Sequence, residues 1–348
     1  MFASQSLPTS EKLRRRKGKL RVGVKQDSQR GVLILGSGPL AATIVSHLKN
    51  DPNARYRFVG CLDGSERGHV NGFVIGSVNR FGEIVARGGI RCVVVALSER
   101  RGMFPAEELL KCRTSGIRVA DGVAFYEEIS GTIPIAGLTP SALIFGEGFK
   151  RHRFTTVCKR IIDVLVSSIG LFIAAPILTV LTIAIKVDSR GPVLFKQERV
   201  GEGGRMFRLL KFRTMRWEPH SNGESRWSQE NDSRLTRVGR MIRRWRLDEL
   251  PQLWNVLRGD TSFVGPRPDV PSLRETLLAA VPYYELRSSV KPGLTGWAQV
   301  RYHYVSSVQE GIRRHEHDLF YIKNMSLRLD LRIIVETFKI VVLGKGAR

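Results

Sequence analysis

The chain has 348 residues, 42% of them hydrophobic, a globular composition with length enough for two domains. Lys and Arg number 56 against 32 Asp and Glu, a net charge of +24, so anionic partners are expected: nucleic acid, phosphorylated metabolites or anionic lipid. The four cysteines (Cys61, Cys92, Cys112, Cys158) are widely spaced and form no C-x-x-C pair, which reads as reduced, packed thiols in a reducing compartment.

Residues 1–30, "MFASQSLPTSEKLRRRKGKLRVGVKQDSQR", contain no apolar signal core and read as a basic, flexible arm. From 31 to 147 short apolar runs alternate with helix-like stretches. "GVLILGSG" is a strand running into a glycine turn, "AATIVSHLKN" a helix, "RYRFVGCLDG" and "RCVVVALSE" further strands. This rhythm predicts an α/β fold with a parallel, doubly wound sheet. Gly36 and Gly38 follow the first strand, Ala41 stands at the third small position of G-x-G-x-x-G/A, and Asp63 ends the second strand. Two readings stay open: a dinucleotide turn, or glycines needed only for a tight strand-to-helix connection.

A basic linker, 148–158, leads into the most apolar segment. Val164 to Ile185 is a run of 22 residues without a charge. At ~1.5 Å per residue it is long enough for a hydrocarbon core of ~30 Å. Pro176 lies mid-run, where it removes a backbone hydrogen bond. Basic residues flank both sides: Arg151, Arg153, Lys159 and Arg160 before, Lys186 and Arg190 after. The positive-inside tendency places both flanks in the cytoplasm. A helix over 160–187 that enters, breaks at Pro176 and returns satisfies both features. Asp163, beside Arg160, is expected at the entry edge as a paired carboxylate.

From 188 to 348 the chain is rich in arginine, and with the apolar helix it makes up a second expected domain over 159–348. "TRVGRMIRRWRLDEL" interleaves basic and apolar residues and predicts a helix in the headgroup layer, with Met241, Ile242 and Trp245 toward acyl chains. "DELPQLWNVLRG" then reads as a helix with Asp248 near its N-cap, Pro251 in its first turn and Gly259 as its stop. A helix N-terminus and the flanking Arg243, Arg244 and Arg246 would keep Asp248 ionised for attack. Two adjacent carboxylates can divide the work, Asp248 attacking phosphorus and Glu249 holding Mg²⁺ against phosphate oxygens. Arg267 in Gly-Pro-Arg-Pro, with Lys211 and Arg213 of "KFRTMR", would grip phosphate.

Several stretches, in this order, carry a resemblance: "KRIIDVLVSSIGLFIAAPI", "GPVLFKQERVG", "FRLLKFRTMR", "NDSRLTRVGRMIRRWRLDELPQLWNVLRGDTSFVGPRP", "YYELRSSVKPGLTGWAQV" and "YIKNMSLRLDLRII". Residues 155–345 resemble the bacterial sugar transferases of the monotopic phosphoglycosyl transferase superfamily. Residues 31–147, through "LILGSGPLA" and "GTIPIAGL", resemble the Rossmann-like domain that precedes them in longer members. The resemblance implies a mostly α monotopic membrane catalytic domain with a re-entrant helix-break-helix, Pro176 at the break. It implies transfer of hexose-1-phosphate, galactose or glucose, from a UDP-sugar to undecaprenyl phosphate, with release of UMP. It further implies Asp248 as nucleophile of a phosphosugar-aspartyl intermediate and Glu249 as the Mg²⁺-binding acid. Arg243 is then the essential arginine before the pair, Arg267 the phosphate-gripping one, and Asp330 a late, functionally needed acid. The implied setting is the cytoplasmic face of the bacterial inner membrane, at the first membrane step of exopolysaccharide or O-antigen synthesis. Membrane lipid is a further partner, and homo-oligomerisation is left open.

Two rival functions remain at this level. An NAD(P)-dependent oxidoreductase would use the Gly36–Gly38 turn, but no hydride-transfer residues stand out in the rest. A nucleic-acid binder would suit the charge, yet the chain offers no stacking surface or reading helix, so no nucleic-acid partner is expected.

Overall fold

The computed structural model describes residues 30–51, 55–64, 72–97, 104–150, 152–217, 234–301 and 308–342. The basic arm expected at 1–30 lies outside them but for Arg30. The chain divides into two compact units, Met1–Gly122 and Val123–Arg348.

In the first unit, β1 (Arg30–Leu35), α1 (Pro39–Asn50), β2 (Tyr56–Asp63), β3 (Val74–Ser77), α2 (Phe81–Ala86), β4 (Ile90–Val95), α3 (Ala106–Thr114) and β5 (Arg118–Asp121) follow in turn. All five strands are parallel, in the order β3-β2-β1-β4-β5. The apolar runs are continuous rather than alternating because strands covered on both faces bury every side chain. Val32, Leu33, Ile34, Leu35, Val93 and Val94 are fully buried. Cys61, Cys92 and Cys112 are buried free thiols.

In the second unit, α4 (Gly122–Ser130) and α5 (Pro140–Phe145) precede a long helix, α6 (Arg153–Asp188). An antiparallel pair, β6 (Leu194–Val200) and β7 (Met206–Phe212), is followed by α7 (Arg237–Arg244), α8 (Gln252–Arg258), β8 (Ser262–Val264) and α9 (Pro271–Ala280). β9 (Gly293–Thr295) pairs in parallel with β8, and α10 (Trp297–Arg301), α11 (Val308–Lys323) and α12 (Leu327–Val342) close the chain. Residues 123–149 pack with this unit, ahead of the expected boundary at 147. Trp297 Nε1 donates to the Gly131 carbonyl at 2.8 Å, and the Ile135 amide donates to Glu316 at 3.0 Å. Lys323 reaches Glu127 at 2.6 Å. Phe149 packs with the core of Val264, Trp297, Tyr321 and Ile333.

α6 is one helix of 36 residues, long and apolar enough to cross a membrane. Its helical run continues through Pro176, so the expected helix-break-helix is not seen as a change of secondary structure. Most of its apolar side chains face outward, Phe172 at 83% exposure among them. The two ends are anchored differently from expectation. Arg160 does not pair with Asp163; it donates to the carbonyls of Val256 and Leu257, both at 2.7 Å, at the end of α8. Asp163 instead accepts from the Ser262 hydroxyl and the Phe263 amide, each at 3.1 Å. At the other end, Asp188 accepts from the Val238 amide at 3.0 Å and so ties α6 to the start of α7.

Candidate active site

The carboxylate pair sits on a single 3-10 turn, Leu247–Glu249, between α7 and α8. Arg246, just before it, is in the left-handed region (φ 57°), an uncommon state for a non-glycine residue that turns the chain sharply after α7. Asp248 therefore does not cap α8. The N-cap is Pro251, which makes no side-chain cap bond. Gly259 does end the helix as expected, with φ 95°. Asn255, fully buried on α8, fixes the neighbouring strand: its Oδ1 accepts from the Leu210 amide at 3.0 Å and its Nδ2 donates to the Arg208 carbonyl at 2.8 Å. The side-chain amide thus replaces a strand partner for β7, and Lys211, the next residue, lands beside the acid pair.

Lys211 Nζ lies 3.0 Å from Glu249 Oε1, and Arg246 Nη1 lies 3.8 Å from Oε2. Burial alone would raise the Glu249 pKa, but Lys211, Arg267 and Arg246 outweigh it and bring it down to about 2. Lys211 is itself lowered, because its burial and Arg267 exceed the pull of Glu249. Asp248, 8% exposed, moves the other way. Burial first, then the charge of Glu249, push it up, against Lys211 and Arg243. The expectation that helix end and arginines would lower Asp248 is thus reversed in direction: desolvation exceeds them. One acid is a firmly ionised anchor, the other a desolvated carboxylate flanked by cations.

Arg243, on the last turn of α7, and Arg267 complete the cationic surround through their charge on Asp248 and Glu249 respectively. Arg213 is not brought there. Its buried guanidinium donates to the Arg190 carbonyl (2.8 Å), the Ser189 carbonyl (2.8 Å) and hydroxyl (2.9 Å), and the Ile185 carbonyl (3.3 Å). It closes the C-terminal end of α6, where orphan carbonyls need donors. Asp330 is fastened in a second buried cluster, to Lys159 Nζ at 2.6 Å and the Tyr321 hydroxyl at 2.8 Å. Met241 and Trp245 are exposed on α7, whereas Ile242 is fully buried with Leu181, Ile185 and Phe212 and does not face lipid.

In the first unit, Gly36 has φ 117°, and a Cβ there would lie 2.4 Å from the Ala96 carbonyl oxygen, so the packing of β4 itself requires glycine. Gly38 is the N-cap of α1, ahead of Pro39. Asp63, at the end of β2, accepts from the Ser37 hydroxyl and from the Gly64 amide at 2.7 Å.

The sequence reading passed over the charged residues behind Arg267. Asp269, Arg287, Arg314 and Asp318 are buried or nearly so and mutually paired. Arg314 and Asp318 lie in "GIRRHEHD", a stretch so crowded with charge that nothing in the sequence singles them out.

No group of three or more metal-binding side chains is found among the described residues. Asp248 and Glu249 fit a Mg²⁺ ion that takes its remaining ligands from phosphate and water, since this ion needs only one or two protein carboxylates. Lys211 occupies Oε1 of Glu249, while Arg246 stands beyond hydrogen-bonding distance of Oε2.

A family model described as bacterial sugar transferase matches residues 154–344. A UDP-N-acetylgalactosamine-undecaprenyl-phosphate N-acetylgalactosaminephosphotransferase of Aeromonas hydrophila is 42% identical over 190 residues, 55% of this chain and 45% of that protein. An undecaprenyl-phosphate glucose phosphotransferase of Komagataeibacter xylinus is 35% identical over 323 residues, 91% of this chain and 60% of that protein. A UDP-glucose:undecaprenyl-phosphate glucose-1-phosphate transferase of Escherichia coli K12 is 30% identical over 321 residues, 89% and 67% of the two chains. The chain spans only about half the length of the first of these relatives and three fifths of the second. With the family model covering more than half of its residues and the acid pair inside that match, the chain belongs to the bacterial sugar transferase family.

Proposed function

We propose that this chain transfers a sugar-1-phosphate from a UDP-sugar to undecaprenyl phosphate, with glucose and N-acetylgalactosamine the leading sugars. The relatives' names support donor and acceptor classes. The observation that carries the chemistry is two adjacent carboxylates on one 3-10 turn, Asp248 buried and Glu249 held 3.0 Å from Lys211, so that burial raises the first and cations lower the second. A pair so divided can hold two roles at one pH.

In the proposed mechanism a carboxylate oxygen of Asp248 attacks the phosphorus that carries the sugar. The new O–P bond forms as the bond to the bridging oxygen breaks, and UMP leaves with that oxygen. An oxygen of undecaprenyl phosphate then attacks the same phosphorus, and the aspartyl O–P bond breaks to restore the carboxylate. Burial of Asp248 excludes water that would hydrolyse the intermediate. Lys211, 3.0 Å from Glu249, and Arg267 would stabilise negative charge building on the transferring group, and Arg243 favours the ionised nucleophile. Glu249 is the residue that would hold Mg²⁺, which when bound neutralises phosphate oxygens.

The membrane setting rests on α6. At ~1.5 Å per residue its 36 residues exceed a ~30 Å core, and both flanks are basic. We read it as entering and leaving by the cytoplasmic face, bending at Pro176. The Rossmann-like reading of the first unit rests on its strand order and Gly36. The test is UMP release from a panel of UDP-sugars by the full chain with undecaprenyl phosphate and Mg²⁺. Release from UDP-glucose or UDP-N-acetylgalactosamine is expected; no release from any member would refute the proposal.

A further inference from the structure

Three consecutive carbonyls of the loop after β8 are held by arginines and a strand. The Arg267 carbonyl accepts from Arg314 Nη2 at 2.7 Å and from Arg287 Nη2 at 3.0 Å. The Pro268 carbonyl accepts from Arg199 Nη1 at 3.0 Å, and the Asp269 carbonyl from the Val200 amide at 3.0 Å. Two charged donors on one carbonyl occupy both its lone pairs, so its direction is fixed.

The holders are themselves held. Arg287 Nε donates to Asp318 at 2.8 Å, and its Nη1 reaches the Asp269 carboxylate and the Tyr284 hydroxyl. Arg314 stands 3.6 Å from Asp269 and 3.9 Å from Asp318. Two guanidiniums thus meet two carboxylates, and the quartet is neutral. The charge of Arg267 is left outside that balance, and it lowers both Glu249 and Lys211. Stability alone does not call for such an arrangement: a buried ion network is frequently no more stable than an apolar one of similar volume, but it specifies geometry.

We propose that Asp269, Arg287 and Arg314 are positioning residues for Arg267, aiming its guanidinium at the donor's phosphates by locking its own carbonyl. This rests on the sugar-phosphate transfer proposed above. Removing one lock leaves Arg267 present but misaimed, and a displacement near 1 Å can lower turnover about 100-fold.

The experiment is a double-mutant cycle on the full-length chain. Arg267→Ala, Arg314→Lys and the double variant are compared in KM for the UDP-sugar and in kcat. Arg314→Lys keeps the charge and loses the fork. About a tenfold rise in KM and a fall in kcat of up to about 100-fold are expected for Arg314→Lys, with the double variant no worse than Arg267→Ala alone. Losses that multiply in the double variant would overturn the proposal, because Arg314 would then act independently of Arg267. Asp269→Asn gives a second cycle with the same expectation should Arg314→Lys not fold. Amide hydrogen exchange reads the lock without turnover. In Arg314→Lys, the amides of Val200 and Gly293, which donate to the Asp269 and Pro266 carbonyls, should exchange faster while those in the body of β7 do not. Unchanged exchange at both amides would overturn the proposal even if no UDP-sugar is turned over. Faster exchange with an inactive wild-type chain would sustain the lock and refute the transfer reaction instead.

Discussion

Glu249→Gln removes a charge that the surrounding cations stabilise, and the structure allows its size to be estimated. A pKa lowered from 4.5 to about 2 corresponds to about 3 kcal/mol in favour of the ionised form. Gln keeps an oxygen for Lys211, so a loss of about 1–3 kcal/mol is expected at pH 7. For a body of this size that lowers Tm by roughly 2–10 °C. The sign of the pH dependence follows from the lowered pKa. The stabilising contribution is fully present above the unfolded value near 4.5 and disappears as pH falls toward 2. Thermal unfolding followed by tryptophan fluorescence at pH 7 and pH 3 should therefore show a gap between wild type and variant that narrows in acid. An equal Tm gap at both pH values would refute the electrostatic reasoning.

Arg213→Ala should lower Tm by several degrees, because the carbonyls of Ser189 and Arg190 lose the guanidinium that holds them, and should leave the KM for UDP-sugar unchanged. A raised KM at unchanged Tm would return Arg213 to phosphate binding. Lys159→Met leaves Asp330 buried without its cation. Burial already raises the Asp330 pKa, so the destabilisation should ease as the pH is lowered and the acid protonates. Destabilisation that does not ease on acidification would contradict the pairing. Single cysteines at His152 and Arg190, in an otherwise cysteine-free chain, should both be labelled from the cytoplasmic face. Labels on opposite faces would exclude the returning path for α6.

What the sequence made legible was local. Periodicity and glycine punctuation predicted the parallel sheet around Leu33 and Val94, and an uncharged run predicted α6. Two adjacent acids before Pro251 pointed to the 3-10 turn on which the candidate site is built. What escaped was set by distant partners. Arg213 lies next to Phe212 in a motif that reads as phosphate-binding, yet its acceptors are carbonyls of Ser189 and Arg190 just past the end of α6, more than twenty residues earlier. Ile242 looked like part of a lipid-facing stripe, but helix α7 turns it into the core with Leu181 and Phe212. The direction of the Asp248 pKa depended on how deeply the 3-10 turn is buried, and no count of neighbouring arginines supplies that depth. The unit boundary at Gly122 is set by contacts such as Trp297 with Gly131, which span more than 160 residues of sequence.

The central claim is a covalent bond between Asp248 and the transferred phosphorus. The full-length chain is incubated with UDP-glucose or UDP-N-acetylgalactosamine and Mg²⁺ without acceptor, quenched, and measured by intact mass and peptide mapping. The account predicts a mass gain of one sugar phosphate on the peptide carrying Asp248, absent in Asp248→Asn and discharged when undecaprenyl phosphate is added. The same adduct formed in full by Asp248→Asn, or mapped to another residue, would contradict it.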